Sequence, residues 1–371
     1  MKIAAFNVEN LFDRPRAFNL EDAAKGAAIT EAVSELNTLI NHERYDDADK
    51  ARMLELIELL KLTQSEPPYA IFRKIRGRFW KQPSHGKLEI VANGRADWVG
   101  WVELRTEPNN AVAVMNTGRV IKAVGADVLA VVEAEDRVAL MQFSEQVLRK
   151  LDSEPYDEIM LIDGNDARGI DVGLMTTNGY SIGLMRSHIA DMRANGERVF
   201  SRDCPEYAVS TPHGETIWVL PNHFKSKYGG NDPSSVSKRS DQARRTAEIY
   251  ESLRAAGHDK VVILGDFNDT PDAAPLQRLL ADTDLADVSA HPSFATGDFA
   301  GKGTFGLGND NNKIDYLLLS PALFDRVTAS GIFRMGAWPG SRPARWAVFP
   351  ELEKPIHAAS DHHLIWAEIA D

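Results

Sequence analysis

Cysteine is almost absent from this sequence. The single residue, Cys204, excludes an intrachain disulfide and fits a reducing compartment. No apolar run approaches the roughly eighteen residues that a membrane-spanning helix requires. The opening stretch MKIAAFNVENLF is interrupted by Asn7, Glu9 and Asn10 and is followed by no small-residue cleavage site, so it predicts a strand and not a signal peptide. We therefore expect a cytoplasmic protein without a membrane partner.

Positive charge is also in short supply. The chain has 42 Lys and Arg against 54 Asp and Glu, a formal net charge of −12, which argues against a protein that coats nucleic acid by bulk electrostatics. Two clusters depart from this balance. Residues 71–87 carry Lys and Arg but no acid, with aromatic residues interleaved. The second cluster comprises Lys225, Lys227, Lys238, Arg239, Arg244 and Arg245. Such clusters are typical of a solvated face, unless they flank a site that handles phosphate.

Short apolar runs of the β type recur along most of the chain. Between them lie segments with helical periodicity at 135–151 and 237–257. This alternation predicts an α/β or α+β fold. The β-type runs lie at 2–8, 127–133, 169–176, 216–224, 260–268, 313–320 and 363–370.

Residues 14 to about 115 interrupt this alternation. Their clearest pattern is the helical period of residues 51–62, which have a polar stripe at three-residue spacing. No internal repeat and no Gly/Ser-rich or Pro-rich linker divides the chain. We therefore predict one domain over residues 1–371, with a helical insertion at 14–115.

Nearly every predicted strand ends at polar side chains. A single carboxylate in such a place is ordinarily a turn or a helix cap, but six ends with the same inventory are not explained by turn chemistry. Carboxylate and amide oxygens suit Mg²⁺ and a phosphoester, two imidazoles suit proton transfer, and the absence of Cys or paired-His spacing argues against structural zinc. The residues are Asn7, Glu9, Glu133, Asn222, His223, Asp266, Asn268, Asp315, Asp361 and His362.

Six motifs carry a specific resemblance. FNVEN, VVEAED, NHFKSK, GDFND, KIDYLLLS and SDHH, in this order between residues 3 and 369, resemble the successive motifs of the endonuclease/exonuclease/phosphatase superfamily, the deoxyribonuclease I-like phosphoesterases. The resemblance implies a four-layer sandwich, in which two mixed β-sheets pack face to face and are flanked by helices. It also implies a hydrolase dependent on Mg²⁺ or Mn²⁺, with its site where the strands end.

The resemblance also assigns roles to single residues. Glu133 resembles the primary metal ligand, and Asn7, Glu9 and Asp361 lie on the metal side. Asp266 and Asn268 resemble the pair that orients water and holds the phosphate. The predicted imidazoles are His362, with Asp315 as its carboxylate partner, and His223, a candidate acid for the leaving group, with Asp171 as a possible partner. Predicted substrate-binding residues are Asn222, Lys225, Lys227 and Arg168.

Three functions remain open from the sequence. A nuclease, and more specifically a DNase with weak sequence preference, is favoured by Lys225 and Lys227 directly after the site and by the basic stretch at 71–87. A phosphoesterase of the same mechanism, acting on a small molecule or a lipid headgroup, is favoured by the acidic net charge. A non-catalytic protein that retains the sandwich is disfavoured, because no matched catalytic position is missing. No obligate protein partner is indicated.

Overall fold

The structure is a computed structural model that describes residues 1–11, 23–65, 67–81, 87–105, 110–166, 168–227, 232–341 and 344–370. The chain forms two compact units. One comprises Met1–Phe12 and Asn109–Asp371, and the other comprises Asp13–Pro108. The assignment of all 371 residues to one domain stays a prediction.

Strands are found in each of the seven predicted β-type runs. Bulges interrupt the pairing of β1 with β6 and of β6 with β8 near the polar ends of those strands. The strands are β1 (Lys2–Leu11), β2 (Ala70–Gly77), β3 (Trp80–Lys81), β4 (Glu89–Ile90), β5 (Trp98–Leu104), β6 (Val128–Ala134), β7 (Glu158–Leu161), β8 (Asp171–Thr176), β9 (Ser181–Arg186), β10 (Glu206–Ser210), β11 (Thr216–His223), β12 (Val261–Asp266), β13 (Ala286–Asp287), β14 (Phe294–Ala295), β15 (Asp315–Leu319), β16 (Val327–Phe333) and β17 (Leu364–Ile369).

Helices occupy both predicted helical segments. The longer one begins four residues before the predicted Ser237, because Asp232 caps the N–H groups of Ser234 and Ser235 and Pro233 takes the first turn. No described helix is both long enough and apolar enough to cross a membrane. The helices are α1 (Ala23–Ile40), α2 (Asp47–Leu59), α3 (Ala111–Val124), α4 (Arg137–Phe143, continued by a π-helical turn at Ser144–Leu148), α5 (Pro233–Ala255), α6 (Gln277–Leu280) and α7 (Pro321–Phe324).

The larger unit contains two mixed sheets. The first has the strand order β14-β16-β17-β1-β6-β8-β7, and the second has the order β13-β15-β12-β11-β10-β9. The pairs β1/β6 and β11/β12 are parallel, whereas β17, β8 and β15 run antiparallel to their neighbours. As a result, the ends of β1 and β6 and the beginnings of β17 and β8 share one edge of the first sheet. The ends of β11 and β12 and the beginning of β15 share one edge of the second.

Alternation of side chains along the strands produces three hydrophobic layers. Ile3 and Ala5 of β1 belong to a buried cluster that also contains Val219 and Val262 of the second sheet, so this cluster fills the space between the sheets. Phe6 faces the other way, into a cluster with residues of α3 and α4. A third cluster packs α5 against the outer face of the second sheet. The four-layer sandwich is thereby confirmed.

The smaller unit has its own hydrophobic core. Although residues 14–115 were predicted as helical, the described part contains β2 to β5 as well as α1 and α2. Phe72, Phe79 and Trp80 pack on one another, and Phe72 and Phe79 stack on the buried Trp98. The aromatic residues of the basic stretch therefore belong to a core and do not form a stacking surface. Phe72 faces this core, and adjacent residues of a strand point to the opposite face.

Candidate active site

Polar side chains from the two sheets meet at the edge where the strands end. Nδ2 of Asn7, from the first sheet, lies 3.3 Å from Oδ2 of Asp266, from the second. Nε2 of His223 lies 3.6 Å from Oδ2 of Asp266 and 3.7 Å from Oε1 of Glu133. Asp266 is nearly inaccessible to solvent. Residues separated by more than 250 positions in the chain therefore form one cluster.

His362 is held between carboxylates. Its Nδ1 lies 2.9 Å from Oδ2 of Asp315, and its Nε2 lies 3.8 Å from both Oδ2 of Asp266 and Oδ1 of Asp361. Burial alone would lower the pKa of His362, but the charges of these carboxylates outweigh burial and raise it well above its usual value. Nδ1 of His362 therefore faces Asp315, and the raised pKa favours the protonated imidazole.

His223 has the opposite environment. Burial, together with the positive charges of Arg202 and His362, places the pKa of His223 well below its usual value. Its Nδ1 is buried and has no hydrogen-bond partner among the described residues. The predicted partner, Asp171, instead accepts a hydrogen bond from the backbone N–H of Gly164 at 2.8 Å. Asp171 therefore has a partner of its own, and the carboxylates found near His223 are those of Asp266 and Glu133.

A second set of carboxylates lies beside His362. The backbone N–H of Asp361 donates to Oε2 of Glu9 at 2.8 Å. Loss of hydration, followed by the charges of Asp361 and Glu133, raises the pKa of Glu9 to about 7. Burial raises the pKa of Asp361 as well; the charge of Glu133 adds to this effect and that of His362 opposes it. Burial is the largest cause of both raised pKa values, and repulsion among these carboxylates adds to it.

The backbone of three predicted site residues is in the left-handed region. The φ angles are 44° at Glu9, 66° at Glu133 and 53° at Asn268. Glu133 lies at the register shift between Val132 and Ala134, where β6 forms a bulge against β8. Bulges redirect a side chain from the face that strict alternation would give it, and such strained residues cluster at functional sites.

Asn268 fixes the carboxylate of Asp266. Its backbone N–H donates to Oδ1 of Asp266 at 2.8 Å, and its side-chain Nδ2 donates to Oδ2 at 3.1 Å. Nδ2 also lies 3.1 Å from the carbonyl oxygen of Phe224, in the loop that follows His223. Gly265, the residue before Asp266, has φ 128°. A Cβ atom there would lie 2.1 Å from the carbonyl oxygen of Asn222. Glycine is therefore required for β11 and β12 to approach this closely.

A comparison with known protein families identifies the family of this chain. The sequence model described as the Endonuclease/Exonuclease/phosphatase family matches residues 82–334, more than half of the chain. The chain belongs to this family. It is therefore a phosphoesterase of the endonuclease/exonuclease/phosphatase superfamily, whose enzymes depend on divalent metal ions.

A solved structure of the family shares the fold of this chain. An endonuclease/exonuclease/phosphatase family protein from Bacteroides thetaiotaomicron has a TM-score of 0.51 and 15% sequence identity, with 69% of this chain and 85% of that chain covered. For a mannosyl-6-phosphatase from the same species the values are 0.49, 15%, 70% and 91%. For truncated TDP2 from Caenorhabditis elegans they are 0.46, 17%, 69% and 89%. No curated protein sequence matches the chain.

The donor set fits the divalent ion on which the endonuclease/exonuclease/phosphatase family depends. Ligand atoms of Asp266, Asp315 and His362 all lie within 4.8 Å of one another. The mutually repelling carboxylates of Glu9, Glu133 and Asp361 offer oxygen atoms only, which is the chemistry that hard cations such as Mg²⁺ prefer. The metal role of these residues, with Asn7 beside them, stays a prediction.

The predicted substrate-binding residues of this family member differ in their placement. Lys227 pairs with Asp269, and Nη2 of Arg168 lies 2.8 Å from Oδ2 of Asp166. Lys225 is half-buried. Asn222 is not brought to the cluster. It is fully buried, and its side chain bonds to the carbonyl of Leu220 and to Thr246 of α5. Adjacent strand residues point to opposite faces, so Asn222 faces α5 when His223 faces the site.

Arg202 is a site residue that sequence reasoning missed. It is buried, its Nη2 donates to the carbonyl of Phe224 at 3.0 Å, and its Nη1 lies 3.2 Å from Oδ2 of Asp166. Its charge is one cause of the lowered pKa of His223. The only signal in the sequence is a single Arg shortly after the apolar pair Val199 and Phe200, which does not by itself indicate burial.

Proposed function

We propose that this phosphoesterase hydrolyses phosphodiester bonds of nucleic acid as a DNase with weak sequence preference, using Mg²⁺ or Mn²⁺. The observation that carries the proposal is the pair of imidazoles at Asp266, where Nε2 of His223 lies 3.6 Å and Nε2 of His362 lies 3.8 Å from Oδ2. Hydrolysis of a diester requires that water lose a proton and that an alkoxide leaving group be stabilised or protonated. A buried carboxylate beside a cationic imidazole supplies both capacities.

Each residue has a role in this proposal. Burial raises the pKa of Asp266 to about 7, so its carboxylate accepts the proton of an attacking water near neutral pH. Cationic His362 donates its Nε2–H to the phosphate or to the leaving oxygen. His223 is neutral, so the role of resting acid passes from His223 to His362. When bound beside Glu133, a divalent ion stabilises the negative charge that develops on the phosphoryl oxygens.

A basic strand supports a nucleic-acid substrate. β2 contains no acidic residue, and its Lys74 and Arg76 are exposed. On the neighbouring strand, exposed Trp101 lies opposite Arg73 in the register. Arg73 pairs with Glu103, so exposed Lys74 and Arg76 are the residues of β2 suited to phosphates of a nucleic-acid strand.

The ion pairing of the second basic cluster supports the alternative substrate class. Lys227 and Arg239 pair with Asp269, Arg244 pairs with Asp241 and Glu248, and Arg245 pairs with Asp191 and Glu248. Cations that already have carboxylate partners attract a polyanion weakly. This observation favours a small-molecule or lipid-headgroup phosphate ester.

A substrate panel tests the two classes. Plasmid, linear duplex, single-stranded DNA, RNA and bis(p-nitrophenyl) phosphate are each incubated with Mg²⁺ or Mn²⁺, with EDTA and the Asp266→Ala variant as controls. We expect cleavage of DNA that EDTA and the variant both abolish. Hydrolysis of the small diester alone would favour the alternative class, and undiminished activity of Asp266→Ala would show that the reacting atoms lie elsewhere.

The role of β2 has its own test. We expect the double variant Lys74→Ala/Arg76→Ala to weaken DNA binding and to reduce the slope of log affinity against log salt by about one for each lost phosphate contact. Arg244→Ala, which removes an ion-paired cation, is the matched control and should leave the slope unchanged. Equal slopes in all three proteins would remove the support that β2 gives to a nucleic-acid substrate.

The remaining predictions about cellular context belong to the same proposal. A cytoplasmic location accords with Cys204, which is fully buried and unpaired with another cysteine. Fractionation of cells that express the full chain tests this location. Recovery of the protein in the membrane fraction would contradict it.

A further inference from the structure

The buried face of α5 changes character along the helix. Toward its C-terminus the face is apolar, with Ala247, Tyr250 and Leu253 in the outer core. Closer to its beginning, the same face presents Arg239, Gln242 and Thr246, and each of these has 0% exposure. The spacing of three and then four residues places these three side chains on one side of the helix. A buried polar stripe is costly unless each group is bound, so its partners are informative.

Two of these side chains bind the chain on either side of His223. Oγ1 of Thr246 lies 3.3 Å from Oδ1 of Asn222, the residue before the imidazole. Oε1 of Gln242 accepts a hydrogen bond of 2.8 Å from the backbone N–H of Lys225, two residues after it. The side chains of α5 therefore hold the backbone that carries His223.

Arg239 connects this segment to the loop that follows Asp266. Its Nε donates to Oδ2 of Asp269 at 3.0 Å. Its Nη1 donates to the carbonyl oxygens of Lys225 at 3.2 Å and of Ser226 at 3.4 Å. One guanidinium thus joins the loop after β11 to the loop after β12.

The strands themselves do not supply these contacts. The parallel ladder of β11 and β12 ends at the pair His223 and Asp266, and one further bond joins the N–H of Phe224 to the carbonyl of Asp266. Beyond that point the stripe on α5 binds the backbone N–H and carbonyl of Lys225 and the carbonyl of Ser226. An apolar stripe of equal volume would not supply these hydrogen bonds.

We infer that Arg239, Gln242 and Thr246 are positioning residues, which set the position of His223 relative to Asp266 through the segment 222–226. The inference rests on the phosphoesterase function for its effect on catalysis. Because misplacement of reacting groups by about 1 Å can cost about a hundredfold in rate, loss of one such contact is expected to lower kcat more than substrate affinity.

The test compares two variants of the stripe with a control on the same helix. Gln242→Met keeps the side-chain volume and removes the Oε1 acceptor. Arg239→Lys keeps the positive charge and removes the guanidinium that binds both loops. Tyr250→Phe removes the partly buried hydrogen bond between Tyr250 and Asp284, away from these loops. Kinetics with bis(p-nitrophenyl) phosphate, unfolding in urea and hydrogen exchange of the Lys225 amide are measured for each.

We expect kcat to fall about 10-fold to 100-fold in both stripe variants, with KM changed less than about threefold. The Lys225 amide should lose protection in Gln242→Met. Tyr250→Phe should lose stability but keep both kcat and the protection of that amide. Stripe variants that lose stability as Tyr250→Phe does, with kcat unchanged, would overturn the inference.

Failure of the proposed function is distinguishable from failure of this inference. A wild-type protein that hydrolyses no phosphoester contradicts the function. The Lys225 amide still reports the hydrogen bond in that case. Loss of its protection in Gln242→Met, but not in Tyr250→Phe, supports the inferred geometry, and unchanged protection overturns it.

Discussion

Two groups of carboxylates in the larger unit differ in how their charge is balanced. In the loops that support the site, Asp269 is paired with Arg239 and Lys227. Burial alone would raise the pKa of Asp166, but its hydrogen bond with Arg168 and the charges of Arg168 and Arg202 hold it below the usual value.

In the site itself the balance is reversed. The pKa values of Asp266, Asp361 and Glu9 are all raised, and His362 is the nearby cation that opposes this rise. Balanced charge fixes a structure, whereas unbalanced negative charge creates a demand for a bound cation. The comparison therefore separates groups that support the site from groups that perform its chemistry.

The largest effect is expected at the cation of the site. His362→Gln removes the charge that Asp315 and Asp266 stabilise, and we expect kcat for the phosphodiester to fall about 10²-fold to 10⁴-fold. The neighbouring His363 is the control. Burial lowers the pKa of His363 to about 3, and its Nε2 bonds to the carbonyl of Gly306 at 3.1 Å.

His363→Gln should therefore cost stability and keep most of the activity, as measured by steady-state kinetics and thermal unfolding. If the two variants lost activity equally, His362 would have no special role in the chemistry, and the distinction between the two regions would be lost.

The next largest effect is expected among the ion-paired carboxylates in the loops that support the site. Asp269→Asn leaves the guanidinium of Arg239 buried with a neutral partner, and breaking a buried ion pair in this way typically costs about 3–5 kcal/mol. Urea denaturation measures the change. Asp282→Asn, at an exposed position, is the control and should stay within about 0.5 kcal/mol of the wild type. Similar stabilities for the two variants would show that Asp269 does not compensate the buried charge.

A pH-dependent effect is expected at Asp171. Burial raises its pKa to about 7, against about 3.9 in an unfolded chain. The folded protein therefore holds a proton that the unfolded protein has released, so the stability from this group is complete below about pH 4 and is lost as pH rises through about 7.

The stability of Asp171→Asn should match that of the wild type near pH 4 and exceed it above pH 7 by about 4 kcal/mol. Unfolding is measured across this range. Asp163→Asn, which removes an exposed charge that also raises this pKa, should give a smaller change of the same sign. A variant less stable than the wild type above pH 7 would contradict the raised value.

The sequence predicted those features that local patterns determine. The apolar half of VVILGDFND is buried in β12 and its polar end reaches the site, because a strand between two layers is apolar until it leaves them. The same rule of alternation, applied to Asn222 and His223, would have separated their roles. It would also have placed Phe72 in a core and Arg73 outside.

Other features depend on tertiary contacts that no local pattern contains. The opposite pKa shifts of His223 and His362 arise from burial and the charge of Arg202 in one case and from three carboxylates that outweigh burial in the other. The basic cluster around Arg239 and Arg245 resembles a binding surface in sequence, but Arg239 pairs with Asp269 and Arg245 with Asp191, in loops distant in the chain.

Calorimetric titration with Mn²⁺ near neutral pH tests most directly the claim that the site lacks positive charge. We predict that the wild-type protein binds the ion, that Glu133→Gln binds it at least about tenfold more weakly, and that Asp282→Asn binds it as the wild type does. Absence of binding to the wild type, or equal affinity in Glu133→Gln, would contradict the account.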